Sequence, residues 1–307
     1  MRVLVTGGTG LVGRLLVKKL CDRGDHVVLL SRRPDVARQQ ASASCTVVGG
    51  DPAVPGLWTD AVAECDAIVN LAGEGIFNRR WSPEFKDLIR TSRLRSTDNV
   101  VAALARAKTA QLPGKTLINA SAVGIYGPHG DEVLTEEALP GNDFLAGVCM
   151  EWERAAQAAS AHGARVVLLR TGIVLDQHGG ALAQMLTPFK MFVGGKVGSG
   201  RQWMSWIHNE DEVGLILFAL DRAEIVGPLN AVAPNPVTNR EFASVLGKVL
   251  GRPSFFPTPA FMLKLMLGQA AEIVTAGQRV VPKKALDAGY TFKFTNVESA
   301  LRALLAR

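Results

Sequence analysis

Gly7, Gly10 and Gly13 punctuate the stretch VLVTGGTGLVG, where a β-rich run gives way to an amphipathic one. Residues of this type at this spacing can hold a pyrophosphate. Gly7 permits a tight turn, Gly10 lets the backbone approach a phosphate, and Gly13 lets the next helix pack against the strand. Thr9, Leu11 and Val12 complete the turn. The helix that follows aims its first amide N–H groups and the positive end of its dipole at an anion. A glycine triplet alone is a weak signal; its place inside a β-α-β unit gives it weight.

A second stretch, VVLLSRRPD, bears on which nucleotide is held. A carboxylate at the end of the second strand would bond a free ribose 2′-hydroxyl. Here Ser31, Arg32 and Arg33 follow the strand, and the first acid is Asp35. A carboxylate would repel a 2′-phosphate. A guanidinium binds one through charge-assisted hydrogen bonds of roughly 1.5–3 kcal/mol each. The expected cofactor is NADP, favoured over NAD by about tenfold to a hundredfold. Ser31 adds a hydroxyl.

Candidates for moving a proton are fewer. Ser121 follows TLINA, and Tyr126, one of two tyrosines, lies in GIYG. Tyr126 admits two readings of equal weight: acid–base catalysis, or a packed ring beneath the reactive end of the cofactor. His208 in SWIHNEDE stands alone and reads as a shaping residue. No Gly-x-Ser-x-Gly, Walker loop or metal-ligand cluster occurs, so no metal is expected. Cys21, Cys45, Cys65 and Cys149 lack ligand spacing and read as reduced, buried thiols, which fits a cytoplasmic protein.

The Gly-x-x-Gly-x-x-Gly spacing after Thr6 resembles the extended branch of the short-chain dehydrogenase/reductase superfamily. That resemblance puts Asp51, after VVGG, where the superfamily's aspartate reaches the adenine amino group. AIVNLAGEG is similar to the superfamily's Asn-x-Ala-Gly segment, which implies that Leu71, Ala72, Gly73 and Glu74 pass beneath the cofactor. In SRLRST, Arg93 replaces a site-facing asparagine and is expected to contact an anion such as the pyrophosphate. Arg90 and Arg95 are expected on a solvated helix face. The stretches SAVGIYGPHGDE, CMEWERAA, RTGIVLD, SGRQWMSWIH and LNAVAPNPVTNREFA narrow the likeness. They resemble an epimerase-like, NADP-binding subgroup with a small C-terminal domain of unknown function, some of whose members are labelled cell-division inhibitors.

The same resemblance implies a Ser or Thr at the end of the fifth strand and a Tyr-x-x-x-Lys on the next helix. The lysine lowers the tyrosine pKa, and the tyrosinate moves a proton while nicotinamide moves a hydride. Ser121 fits the first place. Glu153, also expected beside the cofactor, matches the glutamate that follows the family's lysine. Leu145 and Cys149 then occupy the tyrosine and lysine places, and neither can do that work. Three readings stay open. Tyr126 or Ser121 takes over, with Glu153, His208 or a water; the chain binds NADP(H) as a regulator acting through a protein partner, without turnover; or the substrate moves its own proton.

An α/β frame must position these residues. Strands are expected at Arg2–Thr6, His26–Leu30, Thr46–Val48, Ala67–Leu71, Thr116–Ala120 and Arg165–Leu169, with helices at Leu11–Cys21, Phe85–Ala107 and Phe144–Ala161 between them. Such alternation predicts a doubly wound parallel sheet, the Rossmann arrangement, with a smaller C-terminal substrate lobe. Runs such as AIVNL are apolar without alternation, as a sheet covered on both faces requires. The core is expected over residues 1–170 with contributions from about 205–235, the substrate lobe over 171–252 and a small, mostly helical domain over 253–307. Later elements are a helix near Glu212–Leu220, a strand near Leu229–Ala231 and a helix at Asn239–Leu250 opened by a Thr238–Glu241 capping box. Pro253, Pro257 and Pro259 mark a linker, and the tail from Ala260 reads as helical. In the lobe, Gln202, Trp206 and Asn235, with Arg201, are the expected substrate contacts, although a tryptophan is more often core.

The chain has 307 residues, 48% hydrophobic and 20% charged, with a net charge of +6. That is a globular composition. The basic residues are scattered, so a polyanionic small molecule is the expected partner rather than nucleic acid. A carbonyl compound or a nucleotide-linked one is the expected substrate class, and a homodimer is admitted. FMLKLMLGQAAEIV is too short and too charged to span a bilayer, so no membrane is expected.

Overall fold

The computed structural model describes residues 1–107, 114–257, 265 and 268–305. Seven strands form one parallel sheet: β1 (Arg2–Thr6), β2 (His26–Ser31), β3 (Cys45–Gly49), β4 (Ala67–Asn70), β5 (Thr116–Ala122), β6 (Arg165–Thr171) and β7 (Gly227–Ala231). They run in the spatial order β3-β2-β1-β4-β5-β6-β7. After β3 the chain crosses back to lay β4 on the other side of β1; in open α/β sheets ligands bind at the switch point so made, here between β1 and β4, outside the carboxyl ends of the strands.

Pleating divides the strand residues between two cores. Val3, Val5, Val27, Leu29, Val69, Ile118, Val167 and Leu169 face α1 (Leu11–Asp22) and a later helix, Asn209–Asp221. Leu4, Val28, Leu30, Ile68, Leu117, Val166 and Leu168 face the opposite core, with Val100 and Leu104 of the long helix 83–107. Burial on both faces is why these strands read as unbroken apolar runs. Between α1 and the last strand lie α2 (Pro34–Gln40), α3 (Pro83–Ala107), α4 (Phe144–Gln157), α5 (Gly180–Lys190) and α6 (Asn209–Asp221). A third core outside the sheet joins Leu182, Leu186, Trp206, Phe242 and Leu246 to Val297 and Leu301. It holds α5 against α7 (Asn239–Leu250), which opens with the Thr238–Glu241 capping box.

Several element ends differ from expectation. β5 runs on to Ala122, so Ser121 lies inside the strand rather than after it, and β4 stops at Asn70. Helix α2 was not legible; Pro34 in its first turn supplies the fixed φ that starts it. α4 gives way to a 3-10 turn over Ala158–His162. The tail is only partly helical where it is described: helices Ala271–Thr275, Lys283–Asp287 and Val297–Leu305 alternate with loops and a short strand, Arg279–Val280. Pro259 and the start of the expected helix from Ala260 lie outside the described residues. Ala285 and Phe292 of this tail are buried in the same core as α1 and the sheet. No described helix is long and apolar enough to cross a membrane.

Candidate nucleotide and active site

The glycine turn after β1 has the geometry its sequence implies. Gly7 has φ +65, and the Gly10 N–H donates to the Gly7 carbonyl at 2.9 Å. A Cβ on Gly13 would fall 2.3 Å from the Gly7 carbonyl oxygen and 2.5 Å from Gly8 Cα, so helix and turn pack backbone to backbone. Gly10 caps α1 without a side-chain hydrogen bond, and the first turn carries no acid. Its orphan amides therefore face outward with no protein anion to satisfy them, the condition for holding a phosphate.

A cavity of about 330 Å³ opens at this helix start. Gly7, Thr9, Gly10, Ser31, Arg32, Asp51 and Leu71–Glu74 line it, which gathers ten of the residues expected around a cofactor. Arg32 is exposed and, among the described residues, has no ion pair. Asp51 also accepts the Ala53 N–H at 2.9 Å, which fixes the loop beneath the cavity. Thr91, Ser92 and Arg95 line the opposite wall. Arg95, expected only on a solvated face, is thus a second cation at the rim. It was missed because Arg90, Arg93 and Arg95 fall within two successive turns of one helix, and spacing alone does not say which points inward.

Other expected cofactor residues stand elsewhere. Leu11 lines a neighbouring cavity, while Val12 and Gly13 turn into the helix packing. Arg33 caps α2, its N–H donating to Ser31 Oγ at 3.1 Å, and its side chain is not in the lining. Arg93 lies beneath Gly73, whose added Cβ would meet Arg93 Cγ at 3.2 Å. Its guanidinium stacks over Trp152 at 5.1 Å and donates to the Ile89 carbonyl at 2.8 Å. Burial lowers its pKa, and no carboxylate pairs with it among the described residues. A sequestered cation with one carbonyl partner leaves donors for an anion.

A buried hydrogen-bond network supports the floor. Thr6 Oγ1 accepts the Ala72 N–H at 3.2 Å and donates to Asn70 Oδ1 at 2.6 Å. Asn70 Nδ2 donates to Thr97 at 3.0 Å and to Asn119 at 2.7 Å, and Trp152 donates to Thr97 at 2.9 Å. These interior polar groups fix the Leu71–Gly73 segment that the cavity needs.

Ser121 and Tyr126 belong to a second buried network. Ser121 Oγ donates to Glu153 Oε1 at 2.7 Å, and Arg170 binds both Glu153 oxygens at 2.8 Å. Tyr126 is 0% exposed; its hydroxyl donates to Asn230 at 2.6 Å and accepts from Arg170 at 3.0 Å. Neither residue, nor Glu153, lines either cavity. Register explains this: Ser121 is opposite Arg170, and Ala122 is opposite Thr171. Ser121 and Arg170 turn toward α4, whereas Ala122 and Thr171, on the other side of the pleat, are among the residues lining the second cavity, with the Thr171 hydroxyl on Glu212 of α6.

That second cavity, about 310 Å³, begins at Leu11, the residue after Gly10, and runs to Gln202, Trp203 and Gln278. Among the described residues, its lining holds no ionisable side chain. Leu145, in the place of the superfamily's tyrosine, is part of the wall. Cys149, in the lysine place, is buried, and burial pushes its thiol up to about 12. Gln202 lines the cavity as expected; its Nε2 donates to the Val197 and Val274 carbonyls at 3.1 and 3.0 Å, leaving Oε1 buried without a partner. Trp206 is instead a fully buried core residue, its indole N–H on the Asn235 carbonyl at 3.0 Å, and Trp203 takes the wall position. Asn235 is exposed and ties its loop to the Thr295 carbonyl at 2.9 Å. His208 caps α6 through Nδ1 and stacks on Phe294 at 3.8 Å, a shaping role.

A parallel sheet with this strand order, a Gly-x-x-Gly-x-x-Gly turn and paired cavities at its carboxyl edge defines an extended Rossmann protein of the short-chain dehydrogenase/reductase type. Residues 3–231 match the NAD dependent epimerase/dehydratase family, and residues 258–304 match a domain of unknown function, DUF1731. The chain belongs to that epimerase/dehydratase family. It is 43% identical to the chloroplastic epimerase family protein SDR39U1 homolog of Arabidopsis thaliana, over 99% of this chain and 87% of that one. It is 39% identical to the epimerase family protein YfhF of Bacillus subtilis, over 100% and 98%. A crystal structure of the human epimerase family protein SDR39U1 (isoform2) with NADPH superposes with a TM-score of 0.84 at 34% identity, over 99% of both chains.

Proposed function

We propose that the chain is an NADP(H)-dependent, epimerase-like oxidoreductase that holds the cofactor in the first cavity and a small uncharged carbonyl compound in the second. The observation that carries this is adjacency: Gly10 lines one cavity and Leu11, the next residue, lines the other. A dinucleotide with its pyrophosphate on the α1 start would extend its adenosine end toward Arg32 and its nicotinamide toward Leu145. The residues present fit that group. The α1 amides lack a protein acceptor, Arg32 lacks a carboxylate, and Arg93 is a sheltered cation near the ribose-side floor. The NADPH bound to the human relative agrees with this reading.

When bound, the reduced nicotinamide supplies hydride. Arg32 and Arg95 would hold the 2′-phosphate end, and the α1 amides the pyrophosphate. Ser121, Glu153, Arg170 and Tyr126 would act as a positioning cluster, because their protons are committed to one another. Among the described residues, no side chain of the second cavity would neutralise the pyrophosphate of a nucleotide sugar, so a neutral substrate suits its uncharged wall. The test is a fluorescence titration with NADPH and NADH, followed by a panel of neutral aldehydes and ketones beside nucleotide sugars, read by loss of reduced-nicotinamide absorbance. Turnover confined to the neutral compounds is expected. A non-catalytic regulator is the second reading, favoured by the lack of ionisable groups in that lining; tight NADPH binding with no consumption across the panel would select it.

A further inference from the structure

We propose that Thr171 is the proton donor of the second cavity and that Glu212, enclosed behind it, resupplies Thr171; this rests on the two-cavity reading above. Thr171 is the last residue of β6, beside Ala122, and is one of the residues that line the cavity. Its Oγ1 lies 2.7 Å from Glu212 Oε1. Glu212 belongs to α6 and is 1% exposed, among Val213, Leu215, Ile216 and Leu169 of the core. Its second oxygen, Oε2, is buried with no hydrogen-bond partner.

A carboxylate in such a place would be an uncompensated interior charge, and the cheaper state is the neutral acid. Burial pushes the Glu212 carboxyl up to about 8, and the Thr171 hydrogen bond offsets only part of that. The groups near this end of α6 do not change the conclusion. Asp211 turns away to accept the Lys293 and Phe294 N–H groups, at 2.8 and 2.9 Å. Tyr290 donates to the Asp211 carbonyl at 3.2 Å and not to Glu212. His208 sits at the α6 start on Phe294, and Arg170 faces the other side of the sheet on Glu153. No cation pairs with Glu212 among the described residues.

A neutral Glu212 carries one proton, and among the described residues Thr171 is its only hydrogen-bonding neighbour. With that proton donated to Thr171 Oγ1, the threonine hydroxyl keeps only the long 3.5 Å contact to the Leu169 carbonyl and can exchange it for donation to a carbonyl in the cavity. The step balances. Hydride and its electron pair add to the substrate carbonyl carbon, the C=O π bond breaks toward oxygen, and that oxygen takes the Thr171 proton. Thr171 Oγ1 takes the Glu212 proton, leaving a carboxylate that solvent reprotonates once product leaves. Substrate oxidation runs the same path backward. A relay of this kind replaces the missing tyrosine from the opposite face of β6.

The test compares Thr171→Val, Thr171→Ser and Glu212→Gln with the wild type. Thr171→Val is expected to lower kcat by about a hundredfold or more, with KM and NADPH affinity within about twofold, and Thr171→Ser to recover at least about tenfold of the loss. Glu212→Gln should lower kcat and abolish the alkaline fall in rate near pH 8. An infrared difference spectrum, wild type minus Glu212→Gln, should show a protonated carboxyl at pH 7 that ionises near pH 8. This readout requires no turnover. Wild-type kcat in Thr171→Val, or a Glu212 carboxyl already ionised at pH 6, overturns the relay alone. Failure of the wild type to bind NADPH overturns the relay together with the cofactor reading beneath it.

Discussion

The Arg170 guanidinium grips both carboxylate oxygens of Glu153, at 2.8 Å each, inside the protein. The pair sits on the β6–α4 contact and holds Ser121 and Tyr126 by their hydroxyls. A bidentate pair whose Nη1 donors go to Tyr126 and the Glu136 carbonyl is a connected network in which four of the five guanidinium N–H groups are bonded. It turns the residue where the superfamily keeps a reactive serine into part of the scaffold.

Removing one partner should therefore cost much more than removing both. Arg170→Met leaves a buried carboxylate and is expected to destabilise the fold by about 3–5 kcal/mol. Arg170→Met with Glu153→Leu should recover most of that loss. Urea denaturation of the three proteins measures both effects. A single-variant loss below about 1 kcal/mol would class the pair with exposed salt bridges and remove the argument for a rigid cluster.

Cofactor choice rests on Arg32. Arg32→Asp puts a carboxylate beside the 2′-phosphate position and should weaken NADPH by about tenfold to a hundredfold, with NADH changed little. Arg32→Ala should fall between. Titration of both nucleotides against the three proteins decides the point, and equal losses for the two would show that Arg32 does not read the phosphate.

Gly13 sets how tightly α1 sits on the turn. An alanine there would put a methyl 2.3 Å from the Gly7 carbonyl oxygen, where no flexible side chain can move aside. Gly13→Ala is expected to lower stability by about 1–3 kcal/mol and to weaken NADPH with it, since the same displacement tilts the phosphate-facing amides. Thermal melts with and without NADPH test this; a normal melting temperature in Gly13→Ala would mean the turn can open freely.

The sheet and the phosphate turn were legible because both depend on local patterns. Glycines at 7, 10 and 13 and apolar runs without alternation carry their meaning in a dozen residues. The interior chemistry was not, because it depends on pleat. Whether Ser121 faces the cavity or α4 is decided by which residue of β6 lies opposite it, and one step of register exchanges Ser121 for Ala122. Trp206 and Trp203 pose the same problem: three residues apart, one is core and the other is wall. Thr171, Glu212 and Asn230 gave no sequence signal, since their roles exist only where distant strands meet α6 and the tail.

Acid should destabilise the fold through His208. Burial holds its pKa down at about 4, against 6.5 for a free histidine. Between those values the unfolded chain binds a proton that the folded one refuses. The His208 contribution is therefore complete above about pH 6.5 and is lost as pH falls toward 4, by about 3 kcal/mol in total. His208→Asn keeps a capping acceptor for the Glu210 N–H but removes the titration. Denaturation at several pH values should show the wild type losing more stability than the variant between pH 6.5 and 4. Parallel curves would put the acid sensitivity elsewhere.

Arg93 and Cys149 bear on how the missing lysine is compensated. The superfamily's lysine would bring a cation from α4; here Cys149 takes that place, and Arg93 of α3 lies near enough to lower the thiol's pKa against the effect of burial. Restoring the family pattern should then fail on electrostatic grounds. Cys149→Lys would enclose a second cation beside Arg93 and is expected to destabilise the protein by several kcal/mol. Cys149→Ala, which removes only a thiol, should cost about 1 kcal/mol. Arg93→Met with Cys149→Lys should recover part of the stability that Cys149→Lys loses, because one interior cation then replaces another. Chemical denaturation of these variants, with NADPH affinity measured on those that fold, separates compensation from coincidence: a stable, NADPH-binding Cys149→Lys protein that retains Arg93 would mean the two positions do not share one electrostatic role.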